Sequence, residues 1–170
     1  MIILQITDFE VGKFAVHRGM YSTPDFQSYI DKYEKRYILE LLGANLGNEF
    51  IDDVQAGGGG IPTEQRFVDI LEPIEFDYGM ELIVSDGIKE MLKGFVYYEY
   101  LKDQVTQATA NGLLTQKSEN SESVSGLFTQ LYTRYNDACR SYKGIQRYIL
   151  TKRGDYSGFN GREKSFAYWI

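Results

Sequence analysis

Apolar and aromatic residues fall at Phe26, Tyr29, Ile30, Tyr33, Tyr37, Leu41 and Leu42, three or four positions apart, which is the repeat of a helix with one buried face. Ser22-Thr23-Pro24-Asp25 supplies a cap, a proline suited to the first turn and an acid at the positive helix end, and Gly43 supplies a left-handed stop. Leu46, Phe50, Ile51 and Val54 predict a short second helix, ended by the flexible run Gly57-Gly58-Gly59-Gly60. Pro62-Thr63-Glu64 restarts a helix through about Leu71, and Glu72-Pro73 stops it because a residue before proline avoids helical dihedrals.

The repeat then changes to two. Ile74, Phe76 and Tyr78 alternate with Glu75 and Asp77, and Glu81-Leu82-Ile83-Val84 follows Gly79 as the return strand of a hairpin. Ser85-Asp86-Gly87 caps a long helix to about Gln107, with Ile88, Met91, Leu92, Phe95, Val96, Tyr98, Leu101 and Val105 forming a face wide enough for a central position. Residues 106–123 lose helical spacing and read as an exposed arm with a short strand around Leu113 to Gln116. Val124, Leu127, Leu131, Tyr135, Ala138, Tyr142, Ile145 and Ile149 alternate three- and four-residue steps, the seam of a long helix packed on another. The chain therefore reads as one mainly α domain over 1–170. It is a bundle of four to five helices with a small β-hairpin insertion: an N-terminal arm (1–21), helices and hairpin (22–105), the exposed arm (106–123), a long helix (124–152) and a C-terminal tail (153–170).

Charge adds an asymmetry to this plan. The chain has 18 Lys and Arg against 24 Asp and Glu, but residues 134–170 hold eight basic and three acidic residues, a balance of +5 that leaves −11 on residues 1–133. Opposite charge on two surfaces would steer a head-to-tail encounter between copies, whereas solvated faces would do nothing of the kind, and the sequence leaves both open. Tyrosine, at 14 residues, is abundant, and its apolar ring and polar tip suit either an aromatic core or a surface buried on assembly. Asp8 and Glu10 interrupt the apolar start where a signal peptide would continue, and no window has the length of a membrane span. The expected setting is a soluble protein in a reducing compartment, because Cys139 alone can form neither an internal disulfide nor a cysteine zinc site.

Catalytic provision is poor. His17, the single histidine, stands beside Arg18, a cation that disfavours its protonated form, and Cys139 reads as a structural thiol inside the last helix. The carboxylates Asp52-Asp53, Glu72, Glu75, Asp77, Glu119 and Glu122 lack the spacing of a calcium loop or glycosidase pair and read as solvated charge. Gly57 to Gly60 lack the Lys-Ser/Thr of a phosphate loop. The basic last third, interleaved with Tyr142, Tyr148, Tyr156, Phe159 and Trp169, offers the alternative of a small cytoplasmic DNA-associated protein.

Three blocks carry a resemblance: Lys32-Tyr33-Glu34-Lys35-Arg36-Tyr37-Ile38-Leu39-Glu40-Leu41-Leu42-Gly43, Gly87 through Leu101 with its Tyr97-Tyr98-Glu99-Tyr100 centre, and Lys117-Ser118-Glu119-Asn120-Ser121-Glu122-Ser123. Together they resemble the head-to-tail connector (adaptor) proteins of tailed bacteriophages, most nearly the connector ring proteins of crAss-like phages. The pattern covers most of residues 23–150, and the glycine run and Tyr168-Trp169-Ile170 have no counterpart in it. The resemblance implies a virion protein of the head-tail junction, assembled in the host cytoplasm as a twelvefold homo-oligomeric ring. Such a ring would contact the portal protein and other connector or tail proteins and pass DNA without sequence readout. No enzymatic activity, catalytic residue, cofactor, metal or membrane contact is expected. The residues expected at the assembly interface are Tyr97, Tyr98, Tyr100, Lys117, Glu119, Glu122, Arg140, Arg147, Tyr168 and Trp169.

Overall fold

A computed structural model describes residues 2–16, 22–109, 112–115 and 124–167. Among them are five α-helices, α1 (Thr23–Leu42), α2 (Ala44–Gly57), α3 (Gln65–Leu71), α4 (Gly87–Val105) and α5 (Val124–Thr151). Two antiparallel hairpins join them, β1 (Ile74–Tyr78) with β2 (Glu81–Ser85), and β3 (Thr106–Thr109) with β4 (Gly112–Thr115). The mainly helical bundle with a hairpin insertion is the architecture that the hydrophobic periodicity predicts.

Local signals act as anticipated at most helix ends. The Ser22 side chain accepts the Asp25 N–H with Pro24 in the first turn, and Gly43 takes a positive φ of 85° between α1 and α2. Helix α3 starts later than Pro62 because the Asp53 carboxylate takes the N–H groups of Thr63 at 2.8 Å and Glu64 at 3.0 Å, holding them outside the helix. The start of the stretch read as an irregular arm is a hairpin, Thr106 pairing with Thr115 and Thr109 with Gly112.

One apolar cluster runs through the molecule, from Leu4 and Phe9 through Phe26, Ile30 and Leu41 of α1, Phe50 of α2 and Phe67 of α3 to Phe95 of α4 and Ile145 of α5. Helices α4 and α5 form its central pair, and α1 lies against α4.

The described parts of the segments read as an N-terminal arm and a C-terminal tail are both packed on the bundle. In the N-terminal segment Ile3, Leu4, Phe9, Phe14 and Val16 are buried, and the backbone of residues 2–4 is clamped by one side chain of α1. Glu34, fully buried, accepts the N–H of Ile2 at 2.7 Å on one oxygen and those of Ile3 and Leu4 on the other. Residues 2–4 are thus tied to α1, because one carboxylate can accept all three of their backbone N–H groups.

The C-terminal segment folds back over the end of α1, whose last carbonyls lack helical partners. The Asn160 N–H donates to Leu42 O at 3.2 Å and the Arg162 N–H to Glu40 O at 2.7 Å. From α5, the Tyr142 hydroxyl sits between Glu40 O and Arg162 O, and the Gln146 amide donates to Leu41 O and Arg162 O. Tyr156 is buried, and Asn136 and Ala167 exchange two hydrogen bonds. Residues 153–167 are therefore anchored to the end of α1 and to α5 of their own protomer.

Candidate assembly surface

The hairpin β1–β2 lies on α5, and its seat is made by small residues. Gly144 of α5 stands under it: a Cβ there would lie 3.0 Å from the Ser85 Cβ. The Ser85 hydroxyl donates to Ser141 O at 3.0 Å, and the Asp86 N–H donates to the Ser141 hydroxyl at 3.2 Å. Phe76 meets Tyr148 edge-on at 5.5 Å.

Strand alternation then fixes what faces out. Ile83 and Ser85 are buried toward α5, so Leu82 and Val84 must point the other way, and they are 58% and 59% exposed. The register places Val84 opposite Glu75 and Leu82 opposite Asp77, so each outward aliphatic faces an acid across the ladder. Met80 at the tip is fully exposed. Among the described residues the sheet has two strands only, so each has an edge without a strand partner.

Beside the hairpin, Arg140, Lys143, Arg147 and Leu150 follow one another on α5 at three-, four- and three-residue steps and share a stripe. Arg140 pairs with Asp137, and Arg147 reaches Glu81 at 3.1 Å with its guanidinium 5.8 Å from the Tyr78 ring. Lys143 lies over Phe166 at 4.0 Å, and Leu150 is 48% exposed. The charge asymmetry of the sequence is thereby partly cancelled in space: Arg147 meets Glu81, Lys152 meets Asp69 at 3.8 Å, and Lys164 meets Glu40 at 2.5 Å, each a basic residue of the last third against an acid from earlier in the chain.

Lys164 is the most enclosed of these. Its ammonium stands 4.2 Å from the Tyr37 ring centre and 5.2 Å from that of Phe95, with the Glu40 carboxylate completing the shell. Burial pushes the Glu40 carboxyl up, but Lys164 and Arg36 outweigh it and hold it below its ordinary value.

Two of the three α4 tyrosines expected at the interface, Tyr97 and Tyr100, are buried in the protomer instead. Tyr100 is buried between Phe26 and Tyr29, and Tyr97 is buried against Phe14 with the Arg134 guanidinium 4.6 Å above its ring. Neither offers a surface, because α4 is covered by α1 on one side and α5 on another. Tyr98 is half-buried against Tyr132 and Tyr135, and burial, chiefly, pushes its hydroxyl up to about 12. On α1 two tyrosine hydroxyls rest on acids of α4: buried Tyr37 donates to Glu99 at 2.6 Å and half-buried Tyr29 to Asp103 at 2.9 Å.

Of the remaining expected residues, Arg140 and Arg147 are exposed on α5, while Lys117, Glu119, Glu122, Tyr168 and Trp169 lie outside the described residues, as does His17. Sequence reasoning missed Leu82, Val84, Met80 and Leu150. The available signal was the unbroken Leu82-Ile83-Val84 run, since a two-stranded sheet with one covered face leaves alternate members of such a run outside.

The groups considered for chemistry have structural work. Cys139 is buried, its thiol pushed up by burial and turned toward Ser165 O at 3.5 Å. The Gly58–Gly60 turn approaches the N-terminal segment and, with Ile2, Ile3, Gln5, Val54 and Gln55, borders an open hollow of about 250 Å³ that no charged side chain lines. Among the described residues no group of three or more His, Cys, Asp or Glu side chains could hold a metal, and no helix is long and apolar enough to cross a membrane. No protein-family model, curated protein or solved structure matches the chain.

Proposed function

We propose that the protein is a structural assembly subunit, a copy in the head-to-tail connector ring that joins the portal of a tailed bacteriophage to its tail and extends the DNA channel. In this role the chain performs no bond-making chemistry, and its work is done by surfaces that bury one another in a twelvefold homo-oligomer. Its partners are further copies, the portal protein and other connector or tail proteins, and DNA passes without its bases being read.

The observation that carries the proposal is the outer face of the β1–β2 hairpin, where Leu82, Val84 and Met80 stand together in water on one short sheet and its turn. An uncovered sheet face that carries aliphatic side chains between open strand edges suits contact with another chain. The resemblance of α1 and α4 to phage connectors supplies the kind of assembly.

Native mass spectrometry and light scattering test it, on the protein alone and with a purified portal protein of a crAss-like phage, at low and high salt. The expected result is a defined oligomer that binds the portal. A chain that stays monomeric at every concentration, ignores the portal and binds duplex DNA with a steep salt dependence would replace this function with the DNA-associated one.

A further inference from the structure

We infer that the copies meet head to tail, the outer face of the β1–β2 hairpin of one protomer seating on the Arg140–Lys143–Arg147–Leu150 lane of α5 in the next. The inference rests on the assembly reading above and assigns the surfaces that assembly would use.

The two surfaces are complementary in kind. The hairpin face alternates Leu82 and Val84 with Asp77 and Glu75, aliphatic and acid directly across the ladder from each other. The α5 lane carries three cations and ends in an exposed leucine. Docked, aliphatic meets Leu150 while carboxylates meet guanidinium and ammonium groups, so charge sets the register and apolar contact excludes water.

One protomer cannot make this contact with itself. Burial of Ile83 and Ser85 against α5 turns Leu82 and Val84 away from that helix, and the lane lies on the helix beside the hairpin. The acids that now neutralise the lane do not block it, because Arg140–Asp137 and Arg147–Glu81 are exposed pairs of the sort that contribute little and exchange easily. Since the two surfaces are different patches of one chain, each copy has one of each to offer, and the contact is heterologous, the kind that closes into rings.

The test uses two full-length variants, Leu82→Asp and Leu150→Asp, both at exposed positions and each checked for an unchanged thermal midpoint. Native mass spectrometry should find each variant monomeric at concentrations where the wild type is oligomeric. Mixed in equal amounts, with one copy isotopically labelled, they should form a heterodimer and stop there, because only one intact hairpin and one intact lane remain. As a second arm, Asp77→Lys or Arg140→Glu alone should raise the concentration needed for assembly by about tenfold, and the two together in one chain should bring it back.

Wild-type-like oligomers from both aspartate variants would overturn the inference while leaving the assembly function standing. Monomeric variants that form no heterodimer would also overturn it, since that is the behaviour of a self-complementary twofold contact. A monomeric wild type would overturn the function itself.

Discussion

Replacing Glu34 with alanine tests how the N-terminal segment is held. The change removes the acceptor for three N–H groups, of which those of Ile3 and Leu4 are buried. An orphaned buried amide costs about 1–3 kcal/mol, so two left in place cost about 2–6 kcal/mol. The segment could escape by peeling away, but Ile3 and Leu4 would then lose burial worth about 1.5–3 kcal/mol each, the same range. Neither route is cheap, and the expected loss is about 3–4 kcal/mol by either. Urea unfolding followed by circular dichroism measures it, and limited proteolysis near residues 2–16 separates the routes, since a peeled segment is cut and an orphaned one is not. A loss below about 1 kcal/mol would refute the clamp as a source of stability.

The same carboxyl gives a pH test with a definite sign. Burial is the largest influence on Glu34 and raises its pKa, the three amides pull it down, and the balance stays above the ordinary value. The folded chain therefore holds this proton more tightly than the unfolded chain. The stabilisation is complete below the unfolded carboxyl's pKa of about 4.3 and is lost as pH rises through the folded value. Across that window the wild type should lose stability relative to Glu34→Gln, which cannot titrate. A wild type that gains relative to the glutamine variant would mean that the amides outweigh burial.

Three other outcomes are expected. Gly87→Ala should destabilise by about 3 kcal/mol in urea unfolding, because φ is +80° and the new Cβ would press on Leu71 O and Glu72 O. Tyr142→Phe should cost about 1–2 kcal/mol and make residues 155–167 more open to protease, since the hydroxyl joins the tail to the end of α1. Cys139, buried with its thiol pushed up, should react with a disulfide reagent only as the chain unfolds, so the labelling rate should follow the urea transition, and fast labelling of the native protein would contradict its placement.

Periodicity made the helices legible, because α1, α4 and α5 each bury one face along much of their length and so repeat at helical spacing. The hairpin was legible through its period of two and Gly79. The N-terminal segment was not, since Ile3, Leu4, Phe9, Phe14 and Val16 follow no regular repeat, and Ile3 and Leu4 are held by Glu34, some 30 positions away. A hint lay in α1, where Glu34 occupies a core position between Ile30 and Tyr37–Ile38, and a charge there calls for a partner. Composition misdirected the reading of the tyrosines. A ring that is buried with its hydroxyl on a carboxylate, as in Tyr37 with Glu99, has the same sequence signature as a ring waiting for a neighbour. The candidate surface lies in the hairpin, where the sequence displays an apolar run but only the seat on α5 decides which members of it remain in water.

The most direct measurement of the central claim is the mass of the wild-type protein by native mass spectrometry across a concentration series at low salt. The account predicts a defined closed oligomer that falls apart when Leu82 is replaced by aspartate. A single monomer peak at every concentration would contradict it.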